Sequence, residues 1–101
     1  NAMNAMRPIH PGEVLKGELS EIGMSANAFA QALNVPTNRI TAILKGARSI
    51  TADTALRISH FFGTTPEFWL NLQSSYDLKV TRESVGKKVE QEVRSLLACR
   101  P

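Results

Sequence analysis

Residues 25–46, SANAFAQALNVPTNRITAILKG, decide the fold. They read as a helix, a tight turn and a second helix, with apolar positions where two helices joined by so short a turn must pack. Phe29, Leu33, Ile40 and Ile43 take the inner faces, Val35 plugs the turn, and Ala30 is small enough for the helices to cross closely. Asn34 stands where the chain turns left-handed, a conformation that Asn tolerates better than other residues with a side chain. Ser25 is an N-cap whose hydroxyl takes a free backbone N–H, and Pro36 or Thr37 opens the second helix. Thr37, Asn38, Arg39, Thr41 and Lys45 are left facing outward, a set of donors and acceptors suited to a major groove. The stretch is a helix-turn-helix, and it implies binding to double-stranded DNA.

On both sides the periodicity stays helical, and no stretch alternates as a strand does. A first helix is expected over about Pro11–Ile22, with Pro in its first turn and a stripe of Val14, Leu15, Leu19 and Ile22; Gly23 ends it. Thr51 caps a fourth helix with Asp53 in its first turn. Its stripe is Ala55, Leu56, Ile58, Ser59 and Phe62, and Gly63 ends it. Thr65, Pro66 and Glu67 start a fifth, which presents Phe68, Trp69, Leu72 and Tyr76. A sixth amphipathic segment, over about residues 82–98, carries Val85, Val89, Val93, Leu96 and Leu97, with Glu83–Lys87 and Glu90–Arg94 as i,i+4 pairs. The expectation is an all-α protein. Residues 7–78 form a five-helix domain, 79–101 an additional C-terminal helix or tail, and 1–6 a disordered start. Asn1 and Ala2 read as an expression scar, leaving Met3 or Met6 as the native start.

The chain of 101 residues fits one small domain whose modest core a dimer interface would support. No apolar run is long enough to cross a membrane and no secretory signal pattern opens the chain. The only cysteine, Cys99, forms no internal disulfide, which fits a reducing cytoplasm. The net charge of +3 matters less than its placement. Residues 1–35 carry −1, residues 36–60 carry +3 and residues 79–101 carry +3. The proposed reading helix and the loop after it are therefore locally basic, as expected where phosphates are met.

Within that stretch Asn38 suits adenine or spans two bases, and Thr37 and Thr41 donate, accept or touch a thymine methyl. Arg39 is either a bidentate guanine reader or a phosphate clamp. Lys45 and Arg48, at and beyond the far end of the helix, are assigned to phosphate. Ser25 and Asn27 fit the adjacent phosphate backbone, where the N–H groups and dipole of a helix start favour an anion.

Nothing points to catalysis, a metal or a cofactor. His10 and His60 have no partners at ligand spacing, and no glycine-rich phosphate loop or nucleophile elbow is present. Glu13, Glu18 and Glu21 read as a solvated helix face, and His60 as a partly packed side chain. Trp69 with Phe61, Phe62 and Phe68 reads as core, although Trp69 and Tyr76 equally suit a dimer interface. The stripe of Val85, Val89 and Val93 cannot stay bare. Pairing with a second copy ranks first, folding back on its own domain second, and covering a partner protein third.

With these residues in place, the chain resembles the lambda-repressor-like (Cro/C1, or XRE) DNA-binding domains. More narrowly, HPGEVLKGEL (10–19), GARSITADTALRIS (46–59) and TPEFWLNLQSSYDL (65–78) resemble the HigA antitoxin family, also called VapI-type addiction module antidote proteins. The resemblance implies homodimers that bind a palindromic operator, repress their own operon and neutralise a small RelE-like mRNA interferase toxin. It implies a cytoplasmic protein at the bacterial nucleoid and carries the DNA-contacting role to Thr37, Asn38, Arg39, Thr41, Lys45 and Arg48 by position. Asn34 departs from the family's usual turn glycine, and Pro36 from its usual capping Ser or Thr. The runner-up is a stand-alone repressor of this fold with no toxin. A third reading is a protein-interaction module that has lost DNA binding.

Overall fold

Capping chemistry sets the boundaries of five α-helices in the computed structural model, which describes residues 7–97. The expectations for residues 1–6 and for Cys99 lie outside those residues. α1 (Pro11–Ile22) opens on His10, whose Nδ1 accepts from the Gly12 N–H at 2.9 Å, and closes on left-handed Gly23. α2 (Ala26–Leu33) is capped by Ser25, whose Oγ accepts from the Ala28 N–H at 3.1 Å. It ends at Asn34, left-handed as expected (φ 59°, ψ 50°). α3 (Thr37–Leu44) follows Pro36 with no side-chain cap. α4 (Ala52–Phe62) and α5 (Pro66–Glu92) start on Thr51 and Thr65, whose hydroxyls accept from the N–H groups of Thr54 and Phe68. The fold is all-α, with no strand among the described residues.

The core lies where α1–α4 and the first turns of α5 converge, a unit called the head below. It holds Leu15, Leu19, Phe29, Ala30, Leu33, Ile40, Ile43, Ile50, Ala55, Ile58 and Trp69. α1 and α3 approach so closely at Gly12 that a Cβ there would fall on the carbonyl oxygen of Ile43. Phe29 meets Phe61 edge to face at 5.3 Å, and Phe62 lies between Phe29 and Trp69. Buried Gln73 joins α5 to the loop before α4. Its Oε1 accepts from the Ile50 N–H at 2.8 Å, and its Nε2 donates to Asp77 at 3.0 Å.

Several expectations are corrected, among them the core reading of Phe61 and Phe68, which are 38 % and 46 % exposed. Trp69 is 2 % exposed and packed into its own head, so it cannot anchor a dimer interface. Ile22 and Leu56 leave their stripes for the surface. Leu56 sits about 100° round α4 from Ala55, and it lines a groove with Ala32, Leu33, Arg57, His60 and Phe61. His60 is exposed rather than partly packed. The additional C-terminal helix is an extension of the fifth, since α5 runs unbroken for 27 residues, about 40 Å. It stops at Glu92, so Leu96 and Leu97 do not continue the stripe.

The extension changes face. Trp69, Gln73 and Tyr76 fall on one side of α5. At about 100° per residue, Val85, Val89 and Val93 come round to the opposite side. Val89 and Val93 are exposed, and the molecule measures 60 × 26 × 23 Å because the distal helix projects from the head. Folding back on the same domain, the second-ranked fate of this stripe, does not occur.

Candidate nucleic-acid interface

Complete burial of Ile40 and Ile43 fixes the rotation of α3, and with it which side chains face outward. No side chain caps α3, but its first turn is tied to that of α2: Thr37 Oγ1 donates to Asn27 Oδ1 at 2.8 Å. Two expected contact residues are thus joined, with the Asn27 amide nitrogen still a donor. Ser25 stands beside them, its oxygen already accepting the Ala28 N–H. Asn38 is exposed one position into α3, and Thr41 Oγ1 donates to the Asn38 carbonyl at 3.3 Å. Lys45, the C-cap of α3, and Arg48 in the following loop are exposed and form no ion pair among the described residues.

Arg39 is held differently. Its Nη1 donates to Asp53 Oδ2 at 3.0 Å, across to the first turn of α4. The same oxygen accepts from Arg57 Nε at 3.0 Å, one turn along α4. Arg57 Nη1 in turn donates to the Leu33 carbonyl at 2.9 Å, at the end of α2. One carboxylate therefore links α2, α3 and α4. Its hydrogen bond from Arg57, with that from Arg39, holds it below the usual carboxylate range. Sequence reasoning saw Asp53 only as a dipole partner and Arg57 only as part of the charge. The Asp53–Arg57 spacing of four was a legible signal, whereas the pairing of Arg39 with a residue fourteen positions away was not.

Behind the far end of α3 lies a second node. The His10 ring sits against Gly46 and meets Tyr76 of α5 edge to face at 4.8 Å. Tyr76, expected at a dimer interface, is half-buried there, and Val85 is half-buried farther along the helix. Among the described residues no three His, Cys, Asp or Glu side chains are grouped to hold a metal, and no helix is long and apolar enough to cross a membrane.

A helix-turn-helix family profile, HTH_3, matches residues 18–69. Virulence-associated protein I of Dichelobacter nodosus is 49% identical over 81 residues, spanning 79% of this chain and 75% of that protein. The solved structure of an addiction module antidote protein of a HigA family from Coxiella burnetii aligns with TM-score 0.87 at 65% identity, over 89% of this chain and 99% of that one. The Pseudomonas aeruginosa antitoxin HigA, solved with the higBA promoter, aligns with TM-score 0.86 at 43% identity, over 89% of this chain and 99% of that one.

Proposed function

The chain belongs to the HigA-type antitoxin family of helix-turn-helix proteins, and from that premise we propose that it binds operator DNA as a two-fold dimer, represses its own operon and neutralises a small RelE-like mRNA interferase toxin. The observation that carries the DNA part is the outer face of α3. Thr37, Asn38, Arg39 and Thr41 stand on a helix whose inner face is locked in the core, with exposed Lys45 and Arg48 at its far end. Asn38 meets base edges, Arg39 a base edge or a phosphate, and Lys45, Arg48, Ser25 and Asn27 meet phosphate. The Pseudomonas aeruginosa relative solved with the higBA promoter supports DNA as the partner.

The dimer reading draws on the distal half of α5. Val85, Val89 and Val93 form an apolar ridge turned away from the head, and a second copy offers the same ridge about a two-fold axis. Such a dimer sets two α3 helices about one DNA turn apart, in successive major grooves.

Pull-down of the tagged chain from its source cells, followed by mass spectrometry, tests the antitoxin reading. A stoichiometric small basic partner is the expected result. A clean preparation from cells that express the chain leaves a stand-alone repressor. Absence of salt-dependent DNA binding in a gel shift leaves only an interaction module.

A further inference from the structure

Asp53 is an acidic residue set beside the helix assigned to DNA, and repulsion from phosphate makes it costly there unless it does something else. Its position supplies that role. We infer that Asp53 is a positioning residue for base reading: it holds the Arg39 guanidinium so that its remaining N–H groups meet a guanine edge. The inference rests on the reading of α3 as the DNA-reading helix, and it commits Arg39 to a base rather than to phosphate.

The geometry carries three parts of this. First, the Nη1–Oδ2 bond at 3.0 Å uses one of five guanidinium donors, which leaves enough for a bidentate contact to guanine O6 and N7. Second, the holder is itself held. Arg57 Nε grips the same carboxylate oxygen, and Arg57 is anchored on the Leu33 carbonyl at the end of α2. The direction of Arg39 is thus set by three helices rather than by its own rotamer preferences. Ordering that long side chain before DNA arrives removes an entropic cost from the specific complex. Third, the Asp53 side chain is 58 % exposed, so its charge is felt by a nearby phosphate backbone. Positioning acts only where the correct base is present, while repulsion acts on every sequence. The two effects oppose each other on matched DNA, and only repulsion is left on unmatched DNA.

The test uses the full chain, a duplex that it selects from a randomised library, and a permuted duplex of the same composition. Affinities are read by fluorescence anisotropy at one salt concentration. Asp53→Asn is expected to weaken binding to the selected duplex about tenfold, the scale of losing a bidentate base contact, and to leave binding to the permuted duplex unchanged or stronger. Asp53→Glu keeps the charge but moves the oxygen, so it should weaken the selected complex without strengthening the permuted one. In an Arg39→Ala background, Asp53→Asn should no longer cost affinity for the selected duplex. An Asp53→Asn effect of the same sign and size on both duplexes overturns the inference, because Asp53 is then only a charge or a structural tie. Equal weakening of both duplexes by Arg39→Ala also overturns it, making Arg39 a phosphate clamp while DNA binding stands. Failure to select any duplex refutes the DNA-binding reading itself.

Discussion

The head and the distal half of α5 are built from similar helix-forming residues, yet their apolar positions meet different fates. In the head every helix has a neighbour for its stripe, and Leu15, Phe29, Ile40, Ile43 and Ile58 lose all contact with solvent. In the distal half the valines stand on the far side of a helix already committed to the head by Trp69 and Gln73. A single straight helix cannot turn both faces to one core. The apolar ridge is thereby available to something outside the chain, while the head keeps α3 rigid. Under the proposed function, positioning of the reading helix falls to the head and association between copies to the distal helix.

The largest effects should fall on the head. Trp69→Ala is expected to cost about 3–5 kcal/mol, the range for emptying a buried aromatic site, measured by denaturant unfolding. Val89→Ala should stay within about 0.5 kcal/mol at protein concentrations low enough to keep the chain monomeric. A comparable loss at both sites would erase the distinction between core and free ridge. Gly12→Ala comes next, at about 1–3 kcal/mol, because the new methyl drives α1 from the Ile43 carbonyl. Gln73→Ala should cost a similar amount, about 1–3 kcal/mol, by leaving the buried Ile50 N–H without its acceptor.

Charge placed on the distal ridge should act on association rather than on the core. Val85→Lys combined with Val89→Lys should halve the mass seen by light scattering and shift the melting of the head little. Operator affinity should fall with the loss of the second reading helix. An unchanged mass would remove the distal helix from the dimer contact.

The head was legible because its signals are local. Ser25, Thr51 and Thr65 cap, Gly23, Gly63 and Asn34 turn left-handed, and each announces itself within a few residues. The outward face of α3 followed from the same periodicity that placed Ile40 and Ile43 inside. What escaped depends on distance or on phase. No glycine or proline separates Leu78 from Arg82, so nothing local marked whether α5 broke or ran on. Its two stripes, half a turn out of register, read as two helices. The Arg39–Asp53 pair spans a loop whose path no pattern in either helix encodes. His10 went unread as a cap because histidine is not among the side chains that ordinarily fill that place.

That cap leads to the smallest expected effect. Burial pushes the His10 imidazole below its ordinary value of 6.5, against the opposing pull of Asp77 and Glu13. Its Nδ1 must stay unprotonated to accept the Gly12 N–H. Below pH 6.5 the unfolded chain therefore binds a proton more readily than the folded one, and stability falls as the pH drops through that range. Asp53 and Glu13, each held below its ordinary carboxylate value of 3.8 or 4.5, add their own losses only at still lower pH. Thermal melts between pH 7.5 and 5 should show a falling midpoint for the native chain. His10→Asn keeps an oxygen acceptor at the cap but cannot titrate, so its profile should be flatter from a lower start, since the edge contact with Tyr76 is lost. Equal slopes for the two proteins would show that the head's response to acid lies outside the node where α1, α3 and α5 meet.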